Sequence, residues 1–200
     1  SSAASDVYKR QPPGVQWRRV LDLEAGEYPD VSRVFVPTGC QHCDEPPCME
    51  VCPTTATGKR DDGIVTIDYD VCIGCAYCIM ACPYEARYKV DEQRWAFGAA
   101  PTPAESARTA QPIVDVVTKC TFCVDRIDDG LARGLVPGVD PEATPVCAQS
   151  CISGAMRFGD IDDPQSGVSQ LLAENRWFRM HESEGTGPGF YYLWDKEAPL

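Results

Sequence analysis

Twelve cysteines govern what this 200-residue chain can become. They fall in three sets of four, with none left over. The first set is Cys40, Cys43, Cys48 and Cys52, followed by Pro53. The second is Cys72, Cys75, Cys78 and Cys82, followed by Pro83. The third is split into two pairs, Cys120 with Cys123 and Cys147 with Cys151. Thiols crowded this closely along a chain serve disulfides, zinc or iron–sulfur clusters. The even count permits disulfides, but no basic segment followed by an apolar one opens the sequence to support an oxidising compartment. Zinc takes four thiolates from paired C-x2-C units and could suit the split set. It leaves the Cys-Pro endings of the first two sets unexplained.

The spacing is more specific than either of those readings requires. Residues 72–83 read C-I-G-C-A-Y-C-I-M-A-C-P, which is the bacterial ferredoxin run C-x2-C-x2-C-x3-C-P. Residues 40–53 are the same run with two extra residues before the third cysteine. Three closely spaced thiolates wrap one cubane, while the fourth, expected to open a helix, faces the neighbouring cluster. Gly74 lets the backbone wrap tightly where a side chain would crowd the cluster, and Pro53 and Pro83 turn the chain. Crossed ligation follows as an expectation. One 4Fe–4S cluster takes Cys40, Cys43, Cys48 and Cys82; the other takes Cys72, Cys75, Cys78 and Cys52. Complete four-cysteine sets leave no iron open for a substrate, so they suit electron transfer and no substrate chemistry is expected on this chain.

The two runs repeat at an offset of about 30 residues, one supersecondary unit. Between them Asp62-Gly63 signals a hairpin turn and Ile64–Ile67 a strand. A strand is expected at 113–117, a short helix from Cys123 to Arg133 closed by Gly134, a Pro/Gly loop over 134–146, and a strand at 157–159. Ser169 is placed as the cap of a helix running to Met180. The aromatic tail 187–194 fits against either this domain or a partner. With 17 prolines, 16 glycines and a hydrophobic content of 44%, the apolar core is modest and the clusters are expected to help hold the fold. The net charge of −12 argues against binding nucleic-acid phosphates through charge. No stretch approaches the roughly 20 apolar residues that span a bilayer, so membrane association would come through a partner.

The blocks V-P-T-G-C-Q-H-C-D-E-P-P-C-M-E-V-C-P, G-I-V-T-I-D-Y-D-V-C-I-G-C-A-Y-C-I-M-A-C-P-Y-E-A-R-Y and K-C-T-F-C-V-D-R resemble the iron–sulfur subunit of dimethyl sulfoxide reductase family molybdoenzymes. Polysulfide, thiosulfate and tetrathionate reductases have similar subunits. The residues after Cys123 and the C-terminal F-R-M-H-E-S-E-G-T-G-P-G-F-Y-Y-L resemble the phenylacetyl-CoA:acceptor oxidoreductase branch most. The resemblance implies two ferredoxin-like modules with up to four 4Fe–4S clusters. These would relay electrons between a molybdopterin catalytic subunit and a quinone-linked membrane anchor, in a membrane-associated complex that is cytoplasmic or exported with its partner. The family normally opens with a further four-cysteine run. Residues 12–20 enter the resemblance just after that run, and residues 1–11 do not resemble the family, so a truncated chain with an artefactual leader is expected. The resemblance then makes Cys120, Cys123 and Cys147 three ligands of a cluster completed by the missing run, and Cys151 a ligand of another. The alternative is a natural three-cluster variant in which Cys120, Cys123, Cys147 and Cys151 gather around one metal.

The expected fold class is therefore α+β: a ferredoxin-like dicluster domain over 37–92, preceded by a remnant of the first module over 12–36. A surface excursion (93–118), a partial second ferredoxin-like module (119–160), and a C-terminal helix with a loop-rich tail (161–200) follow. His42 could tune a cluster by hydrogen bonding, although a plain loop residue is the simpler reading. His181 reads as a surface residue. Lys119 and Arg126 flank the third set, where positive charge would favour a reduced cluster and ordinary salt bridging is the alternative. A free-standing ferredoxin-like carrier or a metal-stabilised interaction module is the competing function.

Overall fold

The computed structural model describes residues 14–95, 97–106 and 114–194. The expected leader, residues 1–11, lies outside them, as does the start of the strand expected at 113. The architecture is mixed α/β, with short helices and four two-stranded antiparallel sheets among the described residues. A hairpin of β1 (Arg18–Glu27) and β2 (Asp30–Gly39) leads into the first cysteine run, with Arg18 opposite Gly39. So long a hairpin is not announced by the pattern of residues 12–36. Val20, Leu23, Val34 and Phe35 remain exposed on it, so the polar-out pattern that marks a half-buried strand is missing.

Helix α1 (Pro47–Glu50) carries the third cysteine of the first run. Strands β3 (Thr57–Lys59) and β4 (Val65–Ile67) then form the hairpin expected around Asp62-Gly63. Helix α2 (Tyr77–Met80) carries the third cysteine of the second run, and β5 (Arg87–Val90) leaves it. Among the described residues of the intervening segment, α3 (Pro103–Ser106) forms one helical turn. Strand β6 (Val116–Lys119) returns to pair with β5, setting Arg87 directly opposite Lys119. Helix α4 (Val124–Ala132) ends before Gly134, whose φ of 76° closes it as expected. It packs on the loop 134–145 so closely that a Cβ on Gly130 would stand 2.4 Å from that of Ala143. Helix α5 (Val146–Gln149) carries Cys147.

Three local expectations differ from the structure. Residues 157–159 are irregular rather than a strand. Helix α6 (Gly167–Glu174) is capped by Ser166, whose hydroxyl accepts from the Ser169 N–H at 3.2 Å, not by Ser169. It stops at Asn175, whose backbone is extended, so Trp177–Phe178 instead form β7 against β8 (Tyr192–Leu193). The tail packs on the chain itself, with Phe178 stacked on Tyr192.

The cysteines are the core. One buried cluster joins Trp17, Cys40, Cys43, Tyr84, Ala86 and Cys120, with Cys82 and Phe122 packed against it. A second joins Cys48, Val65, Cys78 and Val117, with Cys72 and Ile67 at its edge. None of the described helices is long and apolar enough to cross a membrane.

Candidate iron–sulfur centres

The three cysteine sets share one backbone design. In each, the residue two places after the first cysteine is left-handed: His42 at φ 47°, Gly74 at 63° and Phe122 at 52°. At Gly74 the turn also needs the bare Cα, because a Cβ would lie 2.0 Å from the Asp115 carbonyl oxygen. The third cysteine of each set, Cys48, Cys78 and Cys147, is the second residue of a four-residue helix. The fourth cysteine then donates its N–H to the residue three before it. These bonds are Cys52 to Met49 at 3.1 Å, Cys82 to Ile79 at 3.3 Å and Cys151 to Ala148 at 3.2 Å. Three residues on, Thr55, Glu85 and Gly154 are left-handed and donate back to the cysteine carbonyls. The fourth cysteine thus follows a helix rather than opening one, since proline after Cys52 and Cys82 disfavours continuing it. Cys151 keeps the same turn without a proline, because Gly154 takes the positive φ.

That turn aims backbone donors at sulfur. Burial raises the Cys52 thiol, but hydrogen bonds from the Thr57 N–H, the Thr54 hydroxyl and the N–H groups of Thr54 and Ala56 outweigh it and lower the pKa. Cys151 receives the equivalent set. The Ser153 hydroxyl at 3.4 Å, the Met156 N–H, and the N–H groups of Ala155 and Ser153 bring it down to about 7. Such donors stabilise a thiolate, the form that binds metal.

The structure brings thiols together across runs. Cys43 and Cys48 each feel the charges of both Cys40 and Cys82. Cys52, Cys72, Cys75 and Cys78 line one small cavity with Ile67, Arg87 and Val117. Cys120 and Cys147 converge on the Arg18 guanidinium, at 3.7 and 4.0 Å. Cys123 is buried at the start of α4. Cys151 is half-buried in its own turn, among residues 153–156. All twelve cysteines are free thiols. Burial pushes the Cys48 thiol up to about 11, against the lowering effect of Arg87; burial likewise raises Cys78 and Cys147.

Among the described residues three cations are buried beside these sulfurs, and sequence reading singled out only one of them. Lys119 is fully buried; its Nζ donates to the carbonyls of Val65 and Cys120. Arg87 reaches Cys48 Sγ at 2.8 Å and Thr57 Oγ1 at 3.2 Å. Arg18 reaches the third set and lies 4.5 Å over the Phe190 ring. Arg126 instead ties α4 to the 141–144 loop, through the carbonyls of Pro141 and Thr144. His42 is buried and stacks on Phe122 at 3.7 Å, with Nδ1 accepting from the Val65 N–H. Burial first, then Lys119 and Arg18, hold its pKa well below the ordinary value. It is a neutral residue of the seam between loops, not a free loop side chain. His181 is exposed, as expected, with its ring edge-on to Tyr84.

The C-terminal tail closes over the first loop. Asp44 and Glu45 donate to the carbonyls of Gly187 and Thr186, at 2.8 and 3.0 Å, and Gly189 donates to the Gln41 carbonyl at 2.8 Å. The Thr186 hydroxyl meets Tyr84 Oη at 2.7 Å and partly offsets the rise that burial imposes on the Cys43 thiol.

These residues fit iron–sulfur clusters. Like charges directly opposite each other on paired strands are unfavourable, yet Arg87 and Lys119 face one another in the interior. A negatively charged group rich in acceptor sulfurs relieves that repulsion, and Arg18 Nε and Nη1, buried without partners among the described residues, have donors to offer it. Among the described residues no three His, Cys, Asp or Glu side chains are grouped to hold a single ion. Four thiolates bound to four irons stand farther apart than four around one zinc.

Comparison with known proteins decides the family. Residues 31–99 match the model of a 4Fe–4S dicluster domain. A chain of Halobacterium salinarum, provisionally named a dimethyl sulfoxide reductase iron–sulfur subunit, is 39% identical over 204 residues, covering 94% of this chain and 71% of its own length. The chain belongs to the iron–sulfur subunits of the dimethyl sulfoxide reductase family. A selenate reductase subunit of Mesobacillus selenatarsenatis is 39% identical over 91% of this chain and 62% of its own length. A sulfite dehydrogenase subunit of Allochromatium vinosum is 38% identical over 93% and 67%. The chain thus spans between 62% and 71% of the length of these three relatives. Iron–sulfur subunits of this family bind 4Fe–4S clusters and relay electrons within multi-subunit oxidoreductases, and this chain is an electron-transfer subunit of that kind.

Proposed function

We propose that this iron–sulfur subunit holds two complete cubanes by exchange of the fourth cysteine, and passes electrons between a molybdopterin catalytic subunit and a quinone-linked membrane subunit. One cluster is held by Cys40, Cys43, Cys48 and Cys82, the other by Cys72, Cys75, Cys78 and Cys52. The observation that carries this reading is the cavity shared by Cys52 with the triad of the opposite run, matched by the packing of Cys82 against the buried cluster of Cys40 and Cys43. When bound, the clusters supply one-electron chemistry; the residues fix their spacing, donate to their sulfurs and keep water away. The dicluster domain covers 37–92 and a second ferredoxin-like module lies in 119–160. There Cys120, Cys123 and Cys147 are three ligands of a further cluster, completed by a fourth thiolate from another cysteine run. Cys151, whose turn repeats that of Cys52, faces that run's own cluster.

The loop of the second run is the port to a partner. Cys75 is exposed there, and Ile73, Tyr77 and Met80 beside it are 65%, 62% and 86% exposed. Exposed apolar side chains around a redox centre suit docking better than diffusion, which favours a complexed subunit over a free carrier. The test is anaerobic isolation with iron and sulfide analysis and EPR of Cys→Ser variants. Cys52→Ser is expected to perturb the centre of Cys72, Cys75 and Cys78 and leave that of Cys40 intact; the reverse pattern refutes the exchange. Zinc without iron in anaerobic material refutes the cluster reading altogether.

A further inference from the structure

Arg87 is buried among cysteines of both runs. Its guanidinium donates to Cys48 Sγ at 2.8 Å, and its charge acts on the Cys78 thiol across the small cavity that both residues line. Cys48 feels the charges of Cys40 and Cys82 on one side and packs in one buried cluster with Cys78 on the other. Cys78 lines the cavity of Cys52, Cys72 and Cys75, and Arg87 forms part of that cavity's wall. The side chain is 3% exposed. Apart from the Thr57 hydroxyl, which takes its Nη1, the guanidinium donates to sulfur. Lys119 and Arg18 are placed differently. Lys119 donates to carbonyl oxygens, and Arg18 sits by the third set.

We propose that Arg87 is an electrostatic bridge shared by the two clusters: with its charge set beside one cysteine ligand of each, it raises both reduction potentials together. The inference rests on the ligand sets proposed above. Reduction adds one negative charge to a cluster, and a fixed neighbouring cation favours that state. Charge-assisted hydrogen bonds are the strong ones, and away from solvent their charge is poorly screened. An arginine stays protonated throughout, so one electron can pass from the first cluster to the second with no proton to move. Because the same guanidinium touches both sites, the electron keeps its attraction to Arg87 on either side of the hop. The transfer is levelled, and back-and-forth exchange stays fast whichever way the partners drive it. Arg87 is a positioning residue: it acts through the cysteine ligands and accepts no electron.

The test is EPR-monitored redox titration of the assembled complex carrying Arg87→Gln or Arg87→Lys, with iron and sulfide counted in parallel. Arg87→Gln is expected to lower both midpoints. The reduced-to-oxidised ratio of each cluster at fixed potential should fall about tenfold, a shift of about 59 mV for a one-electron couple. Arg87→Lys keeps the charge and is expected to recover part of the loss in both. A shift in one cluster alone, no shift with clusters intact, or a lysine variant indistinguishable from glutamine overturns the bridge. If Arg87→Gln does not assemble, Arg87→Lys carries the test through a smaller common fall. Failure of both to assemble makes Arg87 a folding residue and also overturns it. Cys52→Ser and Cys82→Ser spectra separate this outcome from an error in the ligand sets, because they report the exchange whatever Arg87 does.

Discussion

Replacing Gly74 with alanine tests how tightly the second cluster loop is fastened to the strand that serves the third. Gly74 has a φ of 63°, and a Cβ there would stand 2.0 Å from the Asp115 carbonyl oxygen and 3.0 Å from its carbon. An L-residue in the left-handed region costs about 1–2 kcal/mol. Forcing an atom into a filled site adds about 1–3 kcal/mol. The sum, about 2–5 kcal/mol, is a large share of the roughly 5–15 kcal/mol that separates a typical native state from unfolding. The obstacle is backbone and cannot rotate aside. Asp115 donates its N–H to Val90 O at 2.7 Å and directly precedes β6, so the push is transmitted to Lys119 and Cys120. Two other glycines supply the scale. Gly63 has a φ of 80° but open space, and Gly58 has neither obstacle nor a positive φ. Urea unfolding under argon is expected to rank the alanine variants Gly58 near zero, Gly63 at about 1 kcal/mol and Gly74 at about 2 or more. A Gly74→Ala midpoint level with that of Gly58→Ala would refute the reasoning.

Three further outcomes follow. In the reduced, cluster-free chain at neutral pH, alkylation followed by mass spectrometry should label Cys151 before Cys48. Their pKa values of about 7 and about 11 separate the thiolate fractions by on the order of a thousandfold before access is counted. Tyr84→Phe removes the buried bond to Thr186 and is expected to cost about 1–3 kcal/mol, with faster amide exchange across 186–189. Asp128, half exposed beside Arg60, has its carboxyl held below the ordinary range chiefly by the hydrogen bond from Arg60. Asp128→Asn should therefore cost at most about 1 kcal/mol at neutral pH. The bridge's contribution is full above the unfolded carboxylate pKa and lost as pH falls through the lowered one, so the difference between variant and parent should vanish in acid.

The cluster loops were readable because their chemistry is local. Cysteine spacing, Gly74 and the Asp62-Gly63 turn each dictate a conformation within a few residues, and the hairpin and α4 followed from signals of the same reach. What the sequence hid depends on distant neighbours. Arg18 and Arg87 carry no local signal of their role; strand pairing sets them beside sulfur from other runs. Lys119 drew notice only by flanking Cys120; its complete burial comes from pairing with β5. His42 lies in a left-handed turn that favours glycine, and nothing near it announces Phe122, far along the chain, as its stacking partner. The misplaced cap arose because Ser166 and Ser169 both suit the role; in the fold Ser166 accepts from the Ser169 N–H, while the hydroxyls of both bond the Asp160 carbonyl. The repeated turn at Cys151 was obscured by the lack of a proline, although Gly154 marks it.

Diffraction at the iron edge from crystals grown without oxygen tests the exchange of cysteines most directly. It should reveal two separate four-iron densities. Cys82 should close the one framed by Cys40, Cys43 and Cys48, and Cys52 the one framed by Cys72, Cys75 and Cys78. Density in which Cys52 completes its own run, or a lone metal ion among the four sulfurs, would contradict it.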